Sequence, residues 1–269
     1  MPRQWAKQVK ISHVIWEIEL EYSATFFLFA VPAVVFAGMS KGGFGSAASF
    51  AAAPFLALIL DPAAAVGLML PLLMLMDLGG LKAFWRQWDW PVARALIMGA
   101  VPGVALASAV LGLTDPDVFR FAIGVIAVGF VLYHWARAGG MLRLGASRMS
   151  LWAGGLWGAV AGFTSFVSHA GGPPAAVFML SRDLSKTSFQ ATTVLAFSAI
   201  NVLKIGPYFA LGMISTEMAF GWAVLAPFAL AGVWLGVLAH RVVPERLYFR
   251  LTYIFLLITG TKLIWDALS

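Results

Sequence analysis

Apolar segments of helical length follow one another along almost the whole chain, interrupted only by short polar or glycine- and proline-rich breaks. A helix of about 20 apolar residues spans the hydrocarbon core of a bilayer. This succession decides the fold class: an all-α polytopic membrane protein. Composition agrees. Of 269 residues, 61% are hydrophobic and 11% are charged, whereas a soluble domain carries about 25% charged residues. So few charges cannot make a water-facing shell. The alternating segments of about ten residues that mark an outer-membrane barrel are missing. The chain has no cysteine, which excludes disulfides, thiol chemistry and thiolate metal sites. A net charge of +6 fits basic loops on one membrane face rather than nucleic-acid binding. Residues 1–21 lack the charged-then-apolar order of a signal peptide.

The pattern predicts helices over 24–39, 47–60, 63–85, 91–112, 117–137, 151–167, 172–181, 186–209, 218–241 and 246–267. Asp61-Pro62, Trp90-Pro91 and Asp115-Pro116 mark helix starts, where proline costs least. The polar stretch "AGGMLRLGASRMS", 138–150, divides the chain. The parts on either side resemble each other. Phe36-Ala37-Gly38-Met39-Ser40 reads beside Val160-Ala161-Gly162-Phe163-Thr164. Asp61 and Lys82 fall beside Asp183 and Lys204 at one offset, and Arg120 and Trp135 beside Arg250 and Trp265 at another. Weak internal symmetry of this kind is the mark of a transporter built from structural repeats.

We therefore expect a single transport domain over 1–269, with repeat 1 about 24–137, a linker at 138–150 and repeat 2 about 151–267. Segments 47–60 and 172–181 are short for spans. Each repeat reads as a broken or re-entrant helix hairpin followed by three transmembrane helices, and the odd number of crossings makes the two repeats inverted. This topology gathers Arg86, Arg94, Arg137, Arg143, Arg148, Arg182, Lys186, Arg241 and Arg246 on one face, and Asp61, Asp115, Asp117, Glu217 and Asp266 on the other. The positive-inside rule makes the first face cytosolic. The linker is then cytosolic and both termini lie outside, in the cytoplasmic membrane. Ladders at Gly154/Gly158/Gly162, Gly99/Gly103/Ala107 and Gly232/Gly236 allow close helix approach. They serve packing within the chain or, alternatively, a homodimer face.

Two breaks carry the candidate chemistry. In "SKGGFGS", Ser40, Lys41, Gly42, Gly43 and Ser46 interrupt an apolar stretch. A broken helix at membrane depth is tolerated only against protein or a wet cavity. Free backbone N–H groups, a new helix start and the Lys41 charge all suit an anion. The second half repeats the device as "GFTSFVSHAGGPP", with Thr164, Ser165, Ser168, His169 and Gly171. Asn201 and Lys204 lie one turn apart on one helix face. Asp77 is the most deeply placed acid and the candidate for proton coupling; the alternative is a buried partner for a basic group. Lys82, close to a helix end, is expected to snorkel. Walker-type GxxxxGK[ST], HExxH and Gly-x-Ser-x-Gly patterns are absent, so no cofactor or enzymatic site is expected.

Residues 36–85, beginning "FAGMSKGGFGSAASF", and the later "AGFTSFVSHAGGPP" and "TTVLAFSAINVLKIGPYFALG" resemble the TauE/SafE family of sulfite exporter-like permeases. The resemblance covers about 36–267. It implies movement of sulfite, sulfonates or related small anions across the cytoplasmic membrane, often outwards. One departure stands out: the first break carries Lys41, but the second has no basic residue except His169. The expectation is a secondary transporter of a small anion, a sulfur oxyanion or sulfonate, embedded in the lipid bilayer and coupled to protons. The alternatives are a carrier of small carboxylates, an anion channel, and an intramembrane enzyme.

Overall fold

The computed structural model describes residues 22–43, 49–140, 148–239 and 245–269. Ten helices cover almost all of the described residues: α1 (Ala24–Gly43), α2 (Ala52–Leu56, preceded by a 3-10 turn at Ser49–Ala51), α3 (Pro62–Ala83), α4 (Trp90–Leu111), α5 (Pro116–Ala138), α6 (Leu151–Ser168), α7 (Gly172–Leu180), α8 (Lys186–Ala210), α9 (Ala219–Ala239) and α10 (Glu245–Leu268). No strand occurs among the described residues. Seven of these helices (all but α2, α6 and α7) are long and apolar enough to cross a membrane. The protein is a multi-pass helical membrane protein.

Helix starts follow the local chemistry. Pro62 opens α3 while the Asp61 carboxylate accepts from the Ala63 N–H at 2.8 Å. Asp89 caps α4 by accepting from Val92 N–H at 3.0 Å. Ser150 and Ser185 cap α6 and α8 in the same way. Each cap satisfies a donor that has no partner inside the helix.

Two hairpins return to the end from which they set out. Phe55 of α2 stacks on Phe29, near the start of α1, with ring centroids 5.3 Å apart. Beyond the end of α7, the Ser181 hydroxyl accepts from Met149 N–H, and the Arg182 guanidinium donates to the Met149 carbonyl at 2.7 Å, just before α6. Three long helices follow each hairpin.

Packing exchanges the two halves. α1 lies along α9, and α6 lies along α4, as the most extensive pairings of the molecule. α5 packs on α10 and α3 on α8. Glycines set the first two contacts. A Cβ on Gly99 would stand 2.0 Å from the Gly155 carbonyl oxygen, and one on Gly103 equally close to that of Ala159. Gly158 and Gly162 face the carbonyls of Leu96 and Ala100. The numbers rise together, so α4 and α6 are parallel. Gly232 and Gly236 face Val35 and Met39, which makes α1 and α9 parallel too. By contrast α3 and α8 are antiparallel: Gly67 meets Met213, beyond the end of α8, and Gly80 meets Val194 near its start. These glycines are used inside the chain, where small residues let backbones touch; Gly154 lies instead under the Phe178 ring.

One expectation is corrected here. The first helix does not break at Ser40 but continues to Gly43. The reason is packing. Gly38 and Gly42, four residues apart, both press against the α9 backbone, and a Cβ on Gly42 would stand 2.1 Å from the Val233 carbonyl oxygen. That contact requires helical geometry through Gly42. The second segment is correspondingly shorter than 47–60, with α2 only five residues long. Ser46, most of the linker and the N-terminal tail through residue 21 lie outside the described residues.

Candidate functional site

The α1 end, the α6–α7 turn, α3 and α8 converge on a cavity of about 140 Å³ lined by Lys41, Ser49, Leu73, Ser165, His169, Gly172, Ala176, Met179, Phe189, Thr193, Phe197 and Asn201. Lys41 comes from the last turn of α1, where a cation is favourable to the helix dipole. Its ammonium pairs with the Asp77 carboxylate of α3. The other Asp77 oxygen accepts from Asn201 Nδ2 of α8 at 2.8 Å. Both carboxylate oxygens are thus engaged, and Asp77 is only 4% exposed. The alternative reading of Asp77, a buried partner for a basic group, describes this geometry; the partner is Lys41. Lys82, in contrast, is exposed in the last turn of α3.

The second break is organised by Lys204. This side chain is fully buried. Its Nζ donates to the Ser165 carbonyl at 3.1 Å, to the Ser165 hydroxyl at 3.1 Å and to His169 Nδ1 at 2.8 Å. Three acceptors match the three donors of an ammonium. His169 Nε2 donates to the Val66 carbonyl of α3 at 3.0 Å. That bond places the imidazole proton on Nε2 and leaves Nδ1 as an acceptor for Lys204. His169 itself ends α6 with a left-handed φ of 58°, the conformation that closes many helices. Tyr208, one turn beyond Lys204, donates to the Phe166 carbonyl at 2.6 Å. The basic group that the second break lacks in sequence therefore arrives from α8.

Several expected residues stand elsewhere. Thr164 donates to its own helix and approaches the Ala170 carbonyl, and Ser168 donates to the Thr164 carbonyl. These hydroxyls stitch the α6 end together and do not line the cavity. Ser40 is buried outside the lining. Gly42 and Gly171 are packing glycines: a Cβ on Gly171 would meet the Ala161 carbonyl oxygen at 2.6 Å. Gly43 is the last residue of α1. The glycine that faces the cavity is Gly172, with open space where a Cβ would go. Backbone N–H groups at the second helix start are also scarcer than expected, because Pro173 and Pro174 occupy the first turn of α7 and carry no N–H. Side chains, more than helix starts, supply the donors.

Phe189, Thr193 and Phe197 were not foreseen. They continue the Asn201 face of α8 backwards in steps of four, and helical spacing carried N-terminally from Asn201 finds them. Met179 and Ala176 follow from α7 in the same way.

The cluster around the cavity holds two lysines, Lys41 and Lys204, against one carboxylate, Asp77. Donors from α1, α6 and α8 converge there. A family model, sulfite exporter TauE/SafE, matches residues 30–263, and the chain belongs to that family of membrane transporters of sulfite and related sulfur anions. Comparison with curated proteins and with solved structures finds no match.

Proposed function

We propose that the protein is a secondary transporter that exports a small sulfur-containing anion, sulfite or an organosulfonate, across the cytoplasmic membrane by alternating access. The observation that carries this reading is the cavity in which Lys41 and Asn201 face Ser165 and His169, with Lys204 directly behind the last two. An anion in that cavity gains charge-assisted hydrogen bonds.

The two halves act as inverted repeats. Support comes from the helix directions: α4 and α6 run parallel, α1 and α9 run parallel, and α3 opposes α8. Exchanging the halves maps the α1–α9 pairing onto α6–α4. Such an arrangement rocks about a fixed central site. The basic α3–α4 and α5–α6 connections then share the cytosolic face. Labelling checks the orientation: Ser147→Cys is shielded from an impermeant reagent in intact cells and Ser269→Cys is labelled. The reverse pattern overturns it.

Asp77 is the coupling group. In the empty site it occupies Lys41. A proton on Asp77 frees that ammonium for the incoming anion, so proton and anion load together, and an outward anion gradient drives export. Counterflow in proteoliposomes tests the function. Saturable sulfite or sulfonate exchange, accelerated by an imposed proton gradient, is the expected result. Asp77→Asn retains exchange and loses the gradient response. Uncoupled, non-saturating conductance would instead identify a channel.

A further inference from the structure

The cavity is not uniform along its length. Its polar groups gather at one level: Lys41, Asn201, Ser165 and His169 meet around the end of α1 and the α6–α7 turn. From there the lining follows α8 back through Phe197, Thr193 and Phe189, one turn at a time, and follows α7 forward through Ala176 to Met179. Asn201 to Phe189 is twelve residues, about 18 Å of helix. Thr193 is the polar residue in this arm, and its hydroxyl is engaged by the Phe189 carbonyl at 2.8 Å and lies 3.8 Å from Met179 sulfur. The arm thus offers an apolar wall with its one hydroxyl donor in use.

From this division we infer that Ala176, Met179 and Phe197 form a tail site, and that the substrate is a monoanion carrying a short, uncharged carbon tail. The inference rests on the anion-transport reading and specifies it. Size supports it, because an apolar cavity of about 150 Å³ takes a molecule of benzene size, and this cavity is about 140 Å³. A sulfonate head with two or three carbons fits that space, whereas bare sulfite leaves the arm unfilled. Charge supports it as well. Lys41 and Asn201 at one end of the cavity meet a single anionic head. A charged group at the end of a two-carbon tail would lie beside Phe197 and Ala176 with no charged partner, which is costly.

The test is ligand-induced thermal stabilisation of the purified full-length protein, titrated with sulfite, methane-, ethane-, propane- and hexanesulfonate, and 2-aminoethanesulfonate. Affinity is expected to rise about fourfold per methylene from methane- to propanesulfonate and to fall for hexanesulfonate. The aminated compound should bind about tenfold or more weakly than ethanesulfonate. Two variants move the preference in opposite directions. Ala176→Leu lowers the propane-to-methanesulfonate affinity ratio, and Phe197→Ala shifts the optimum to a longer chain. Because each ratio is taken within one variant, a general loss of stability does not imitate the result. Sulfite binding as tightly as propanesulfonate, or ratios that neither variant alters, overturns the tail site while leaving anion transport standing. No stabilisation by any of these anions overturns both.

Discussion

At the end of α1, Lys41 meets a carboxylate, Asp77, whose second oxygen is held by Asn201. At the end of α6, Lys204 meets neutral acceptors: a carbonyl, a hydroxyl and an imidazole nitrogen. The first arrangement cancels its charge internally. The second satisfies its hydrogen bonds with neutral groups alone. The two ends therefore satisfy a buried lysine in different ways. One pairs its lysine with a carboxylate; the other holds its lysine on neutral acceptors. Where the halves are matched by sequence, Ser165 stands at the position of Lys41, so the second cation had to come from another helix.

The largest effect expected is at Asp77. Asp77→Ala leaves Lys41 buried without its counter-charge and should destabilise the protein by about 3–5 kcal/mol, read from thermal unfolding in detergent. The double change Lys41→Met with Asp77→Leu should recover most of that loss, because no unpaired charge remains. If Asp77→Ala costs no more than Lys204→Met, the two ends are not different in kind.

Next is Lys204 itself. Lys204→Met leaves the Ser165 carbonyl, the Ser165 hydroxyl and His169 Nδ1 without their buried donor, so it should cost about 1–3 kcal/mol of stability. Anion affinity should weaken as well, by less than the loss of a direct hydrogen bond to a charged group would cause, about 1.5–3 kcal/mol, because Lys204 stands behind Ser165 and His169; titration measures it. A variant that binds like the parent would place the site's charge at Lys41 alone.

The helix pairs sharpen the comparison in another way, since there the halves are alike. Gly42→Ala and Gly99→Ala each drive a Cβ into a facing carbonyl, of Val233 and Gly155 respectively. Each should cost about 1–3 kcal/mol. Gly155→Ala meets open space and should be neutral or stabilising by up to about 1 kcal/mol. A large difference between the first two would break the equivalence of the pairs.

The smallest effect separates backbone from side chain at His169. Asn tolerates the left-handed φ of 58°, so His169→Asn should change stability by less than about 1 kcal/mol. It removes the Nδ1 acceptor and frees one Lys204 donor, which should tighten anion binding slightly. An equal loss of stability and binding would assign the imidazole a structural role at Val66.

The sequence by itself determined the membrane class, the positions of the helices and the two interrupted hairpins. Those properties are local. Apolar length, proline at helix starts and capping Asp or Ser act within a few residues of chain, as Asp61-Pro62 and Asp89 illustrate. The residue types at both breaks were also legible, because a lysine or histidine beside glycine in an apolar stretch stands out. Tertiary structure decided which groups meet. Lys204 and Lys82 occupy matching positions in the two halves, yet Lys204 is buried on Ser165 and His169, and Lys82 is exposed in the last turn of α3. Tertiary structure also decided that α1 reaches Gly43. Taken alone, the glycines of "SKGGFGS" favour a break there, since glycine costs about 1 kcal/mol in a helix. Against α9, Gly38 and Gly42 become the reason the helix continues, because only a backbone without Cβ atoms fits so near the Ala229 and Val233 carbonyls. A propensity is a property of a few neighbouring residues, whereas a close contact is set by a helix almost two hundred positions away, and at membrane depth the contact outweighs the propensity.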